Sequence, residues 1–137
     1  MIPLRTSSTR PVALVVLFLL AACRNDETVR AYGAADRVWL LQELDGEIFD
    51  ASATLTFPNG GGIAGQAPCN TYGADMTSPY PWFVPGPIRA TKRGCSRLLD
   101  ENRFFTALTE MTLVEVLGDT LILRTPEGRE MVFKAGG

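Results

Sequence analysis

Val12 to Leu20 is an unbroken apolar run, and it constrains the fold more than any other stretch because it is not available to the core. Arg5 and Arg10 precede it and the small residues Ala21 and Ala22 follow, the three-part layout of an export signal. As a membrane span the run is too short, since about 30 Å of hydrocarbon takes roughly 20 helical residues. Leu20-Ala21-Ala22-Cys23 has the form of a lipobox, in which the cysteine takes a diacylglycerol thioether and becomes the new amino terminus. The alternative is an ordinary signal peptide that carries a cysteine near its cut.

The expected products are a signal peptide over 1–22, a lipid-anchored flexible tether over 23–37 and one domain over 38–137. Each buried methylene contributes about 0.8 kcal/mol, so two or three acyl chains on Cys23 hold a protein stably on a membrane. Position 24 is Arg rather than Asp, which in lipoproteins of two-membrane bacteria favours the outer membrane, here facing the periplasm. Removing 22 of 137 residues leaves 115, enough for one core but not two. That part keeps 11 basic residues (Arg5 and Arg10 leave) against 15 acidic, a formal charge of −4. Nucleic acid, which demands clustered Lys and Arg, is therefore not an expected partner. The chain has no His, which removes the commonest general base and the commonest metal ligand together.

Residues 24–36 are polar and small with no sustained periodicity. Apolar density begins at Val38-Trp39-Leu40-Leu41, a first strand. Ala53 to Phe57 alternates apolar and Thr, the pattern of a half-buried strand, and Pro58-Asn59-Gly60-Gly61-Gly62 breaks the chain before Ile63-Ala64, which predicts a hairpin. Asn70 to Met76, Trp82 to Val84 and Ile88 to Thr91 are weaker strand candidates. Val114 to Leu117 and Thr120 to Leu123 flank Gly118-Asp119, a connection of the kind tight hairpins use. Pro126-Glu127-Gly128-Arg129 then turns the chain into a closing strand, Met131 to Lys134. One segment, about 97–111, has helical periodicity. At 100° per residue Leu98, Phe104, Phe105, Leu108 and Met111 fall within an arc of about 140°, facing a core. Ser96 is the expected N-cap, with Asp100 and Glu101 near the positive end of the helix dipole. Strands on both sides of a single helix make an α+β domain.

Taken in order, these residues resemble the META domain family. Its pattern is matched by Trp39, Leu41, Leu44 and Gly46, by Gly65 ahead of Cys69-Asn70 and Tyr72, and by Thr91 ahead of Cys95. Glu101, Phe104 and Leu108 match its helix, and Gly118, Leu121, Leu123, Gly128 and Phe133 its closing hairpins. The match covers roughly 38–134. Pro68 departs from it, standing where the family usually has a small residue, and prolines at 79, 81, 85 and 87 bracket the middle strand. The resemblance implies a curved antiparallel β-sheet packed around a single α-helix, and a structural or stress-related envelope role with no established activity. It also places Cys69 and Cys95 at strand–loop boundaries before the helix. With Cys23 acylated, these two thiols are an even count in an oxidising compartment, so a disulfide is expected, buried free thiols being the alternative.

Each constellation that invites chemistry has a plainer reading. Asp45/Glu47, Asp100/Glu101 and Glu127/Glu130 are drawn as acid pairs only on paper, since all lie at turns or in an early helical turn. Thr91 and Lys92 are neighbours on a strand and point to opposite faces. Two cysteines without His make a poor zinc set, so neither metal nor cofactor is expected. Asn70 and Thr91 are expected to satisfy backbone at a turn or strand end rather than touch a ligand. Tyr80, Trp82 and Phe83, between prolines, are the candidate partner surface, against the alternative that they cap the core at a sheet edge. The functional expectation is a non-enzymatic envelope lipoprotein. The alternative is a binding module that inhibits an attacking enzyme or carries a small apolar ligand.

Overall fold

The computed structural model describes residues 2–4 and 25–136. Cys23 and residues 5–22 of the expected signal peptide lie outside the described residues. Among the described residues, nine strands and one α-helix follow in the order β1 (Trp39–Leu44), β2 (Glu47–Ile48), β3 (Thr54–Leu55), β4 (Ile63–Gln66), β5 (Thr71–Ala74), β6 (Arg89–Ala90), α1 (Leu98–Glu110), β7 (Leu113–Leu117), β8 (Thr120–Arg124) and β9 (Glu130–Ala135). The architecture is α+β and every strand pair is antiparallel. A single sheet was the expectation; two are present. The larger runs β2-β1-β9-β8-β7 with β3 also on β1, and the smaller runs β4-β5-β6. No helix among the described residues is long and apolar enough to cross a membrane.

Strand alternation builds the core of the larger sheet. Leu41 and Leu121 stand opposite Phe133, and Leu123 lies between Val114 and Met131, all at most 2% exposed. Leu44 also faces inward, three residues after Leu41, which strict alternation forbids. A bulge resolves this: Leu41 pairs with Phe133 and Glu43 with Val132, leaving Gln42 as the extra residue. Asp45 and Gly46, both at positive φ, make the two-residue turn that lays β2 back on β1. The two-residue strand β2 falls where no periodic signal exists.

The smaller sheet is joined to the larger through the residue after β3. Thr56 and Ala64 exchange backbone hydrogen bonds of 2.7 and 3.1 Å, and the Tyr72 hydroxyl donates to the Thr54 carbonyl at 2.6 Å. Burial pushes the Tyr72 phenol pKa well above its ordinary value, so it remains a donor. Gly65 lies against this crossing, where a Cβ would stand 2.1 Å from the Thr54 oxygen. Only glycine lets the two backbones approach so closely. Gly65→Ala is therefore expected to cost about 1–3 kcal/mol, read as a lower midpoint of denaturant unfolding.

Helix α1 differs from expectation at its start. Ser96 does not cap it: Arg97 occupies the N-cap position and makes no side-chain cap bond. Leu98 is 43% exposed and is not on the buried face. That face is Glu101, Phe104, Ala107 and Leu108, continued by Met111, so its first member is a carboxylate. Phe104 touches both halves of the molecule, with ring centroids 6.5 Å from Phe49 and 5.5 Å from Tyr72.

Packing onto the domain begins within the span expected as tether, 23–37. Val29–Tyr32 forms a 3₁₀ turn whose Val29 is buried, and Ala34 is fully buried. The Ala34 carbonyl accepts from the Trp39 indole at 3.3 Å, and the Arg37 guanidinium lies 5.0 Å above that ring. Val29 and Ala34, five residues apart in a stretch of small and mixed residues, give no period to read.

Candidate functional site

Asn70, Thr91 and Glu101 come together beneath the Cys69–Cys95 disulfide, whose Cα atoms are 5.6 Å apart, inside the range such a bridge requires. The bridge ties the end of the β4–β5 turn to the residues just before α1. One helical turn further, Glu101 points inward and is 3% exposed. One of its oxygens accepts the backbone N–H of Cys69 at 3.0 Å and of Asn70 at 2.8 Å; the other accepts the Asn70 side-chain amide at 2.7 Å.

Asn70 completes the clasp. Its amide also donates to the Arg93 carbonyl at 3.0 Å, while its oxygen accepts the Arg93 N–H at 2.5 Å and the Thr91 hydroxyl at 2.9 Å. Those four bonds use the full capacity of an asparagine side chain. Thr91, itself on the surface, accepts the Thr71 N–H at 3.2 Å and so closes the loop back to β5. Among the described residues no buried side-chain nitrogen or oxygen lacks a partner. The clasp holds a buried carboxylate against N–H donors alone, and presents no unpartnered group to a substrate.

The acid pairs are spent separately. Asp45 binds Arg129, Asp100 binds Arg97, and Glu130 binds Arg124. Arg97 also reaches Asp50 at 2.6 Å, tying the helix start to the segment after β2, a link no sequence pattern announces. The Arg129 hydrogen bond, ahead of a smaller opposing effect of burial, holds the Asp45 carboxyl below its ordinary 3.8. A carboxylate depressed on folding adds stability above its unfolded pKa, and that stability is lost as pH falls through the folded value. Stability should therefore decline as pH drops below about 4, and Asp45→Asn should flatten part of that acid slope. The effect is small and salt-sensitive because the pair is exposed. Equal acid slopes for the two proteins would contradict it.

The aromatic loop divides. Phe83 is 1% exposed and belongs to the core, so it is not part of a partner surface. Its N–H donates to the Thr112 carbonyl, and the Val114 N–H donates to the Pro81 carbonyl, both at 2.8 Å, which covers the start of edge strand β7. The Trp82 to Val84 strand is reduced to one bridge, Trp82 opposite Leu113. Tyr80 is half-buried and stacks on Tyr32 with centroids 4.2 Å apart. Trp82 is 54% exposed and Val84 61%. Trp82→Ala is accordingly expected to cost no more than about 1 kcal/mol, and a core-sized loss of roughly 3–5 kcal/mol would contradict this placement. A separate depression of about 350 Å³ is lined by Val29, Arg30, Phe57, Gly61, Met76 and other residues.

A family model described as META domain matches residues 33–136. No match was found among curated protein sequences. Two solved structures share the fold. An NMR structure of a protein from Burkholderia xenovorans has a TM-score of 0.60 at 19% identity, covering 98% of this chain and 99% of its own. Another NMR structure has a TM-score of 0.57 at 14% identity, covering 72% of this chain and 87% of its own.

Proposed function

Because this chain belongs to the META domain family, we propose that it is a non-enzymatic lipoprotein of the bacterial envelope, held on the outer membrane facing the periplasm by acylated Cys23, with a structural or stress-related role. One observation carries the reading against catalysis. Asn70, Thr91 and Glu101, the polar residues the family pattern marks, are occupied with one another and with backbone. Nucleophilic or acid–base work needs a group free to meet substrate, and this cluster spends its hydrogen bonds on holding a helix to a sheet. The disulfide supports an oxidising compartment. The lipobox ending at Cys23 supports the anchor.

Intact mass of the membrane-extracted protein tests the address. The expected chain begins at an acylated Cys23, and Cys23→Ser should leave it unprocessed or soluble. Unmodified cytoplasmic protein beginning at Met1 would contradict the reading. A second reading, carriage of a small apolar ligand, rests on the depression floored by Val29, Phe57 and Met76, which is near the lower end of ligand-site volumes. Organic extraction of protein purified from envelope would find a stoichiometric apolar compound if that reading held.

A further inference from the structure

We propose that the aromatic loop, through exposed Trp82 and Val84 together with Tyr32, docks on the same bilayer that carries the lipid anchor, with Trp82 seated among the headgroups. The inference rests on the reading that Cys23 is acylated, and it adds a second, side-chain contact to that anchor. The Tyr80 N–H donates to the Glu27 carbonyl at 2.8 Å, so the aromatic loop is pinned to the chain four residues after Cys23. Four residues span at most about 14 Å. An anchored domain therefore cannot lift this loop far from the lipid surface.

The chemistry of the face suits that position. Tyr32 is 50% exposed and stacked on Tyr80, and Trp82 and Val84 are exposed two and four residues further along the same loop. Indole and phenol rings, apolar in body and polar at one edge, settle at the membrane–water boundary. Anionic lipid is not required. Asp26 and Glu27 are exposed here, and Arg30, the first described cation after the tether, is committed to the Phe57 carbonyl and to Asp36. Since the anchor supplies the high local concentration, even a weak insertion is populated, because the second contact is intramolecular.

The two tryptophans make the test direct. Trp39 is fully buried, so only Trp82 is open to an external quencher. Cys69 and Cys95 are tied together, so in the mature chain Cys23 is the thiol free for coupling. The mature chain is coupled through Cys23 to a maleimide lipid in phosphatidylcholine vesicles, with or without brominated acyl chains. This makes the result independent of acylation in the cell, which the intact mass reports separately. The expected result is quenching by brominated lipid, at least a twofold loss of acrylamide access on anchoring, and disappearance of both effects in Trp82→Phe. Trp82 as open to acrylamide on vesicles as in solution would overturn the proposal. So would shielding from acrylamide without bromolipid quenching, which would mean that a second copy of the chain covers the face.

Discussion

Glu101→Ala should destabilise the domain by roughly 3–5 kcal/mol, the loss seen when one partner of a buried charged network is removed. The substitution leaves the Cys69 and Asn70 backbone N–H groups and one Asn70 side-chain N–H without their acceptor. Each buried donor stranded in this way costs about 1–3 kcal/mol. Against a total stability of about 5–15 kcal/mol for a domain of this size, that is a large fraction. Equilibrium denaturant unfolding should show a lower midpoint at similar slope. Glu101→Gln should recover part of the loss, because its carbonyl oxygen still accepts while its amide faces donors. A loss below about 1 kcal/mol for the alanine variant, within the range of ordinary surface changes, would mean the carboxylate does not hold the clasp.

Opening the Cys69–Cys95 bridge should lower stability by roughly 3–4 kcal/mol. Cutting it frees a 27-residue loop, counted inclusively, in the unfolded chain. That loop carries β5, β6 and the aromatic segment. The check is a comparison of wild type with the Cys69→Ser, Cys95→Ser double variant, unfolded without reductant. Wild type in reductant should match the variant. The bridge and the Glu101 bonds constrain the same turn, and residues sharing a network do not act independently. Combining Glu101→Ala with the double variant should therefore cost less than the two losses added. Denatured, unreduced protein that titrates with free thiols at both positions would remove the basis of this prediction.

The helix and the closing hairpins were legible because their signals are local. Phe104, Leu108 and Met111 recur at helical spacing, and Gly118-Asp119 interrupts two apolar runs in the way a tight turn must. The cysteine pair was legible from its count and from the family pattern, and its partners do meet. What local pattern could not carry is where acids and aromatics go in three dimensions. Glu101 reads as a charge suited to a helix start, yet its position puts it on the buried face, where only the N–H groups of a turn 31 and 32 residues away make it tenable. Phe83 and Trp82 are adjacent and similar in composition, and the pairing with Thr112 and Leu113 decides which one is covered. The division into two sheets was likewise hidden, since β3 pairs with β1 and pairs with β4 only through the single Thr56–Ala64 bridge.

Amide hydrogen exchange on the disulfide-intact domain tests most directly whether Asn70, Thr91 and Glu101 are a clasp or a site. Functional sites belong to regions that open locally at low cost, whereas a structural node opens only with the whole fold. The Cys69 and Asn70 backbone amides, both bound to Glu101, should exchange with the same opening free energy as Leu121 and Phe133 in the core of the larger sheet. Exchange from Cys69 and Asn70 that is orders of magnitude faster than from those strands would contradict the account, because it would mean the polar cluster opens to solvent while the fold stays intact.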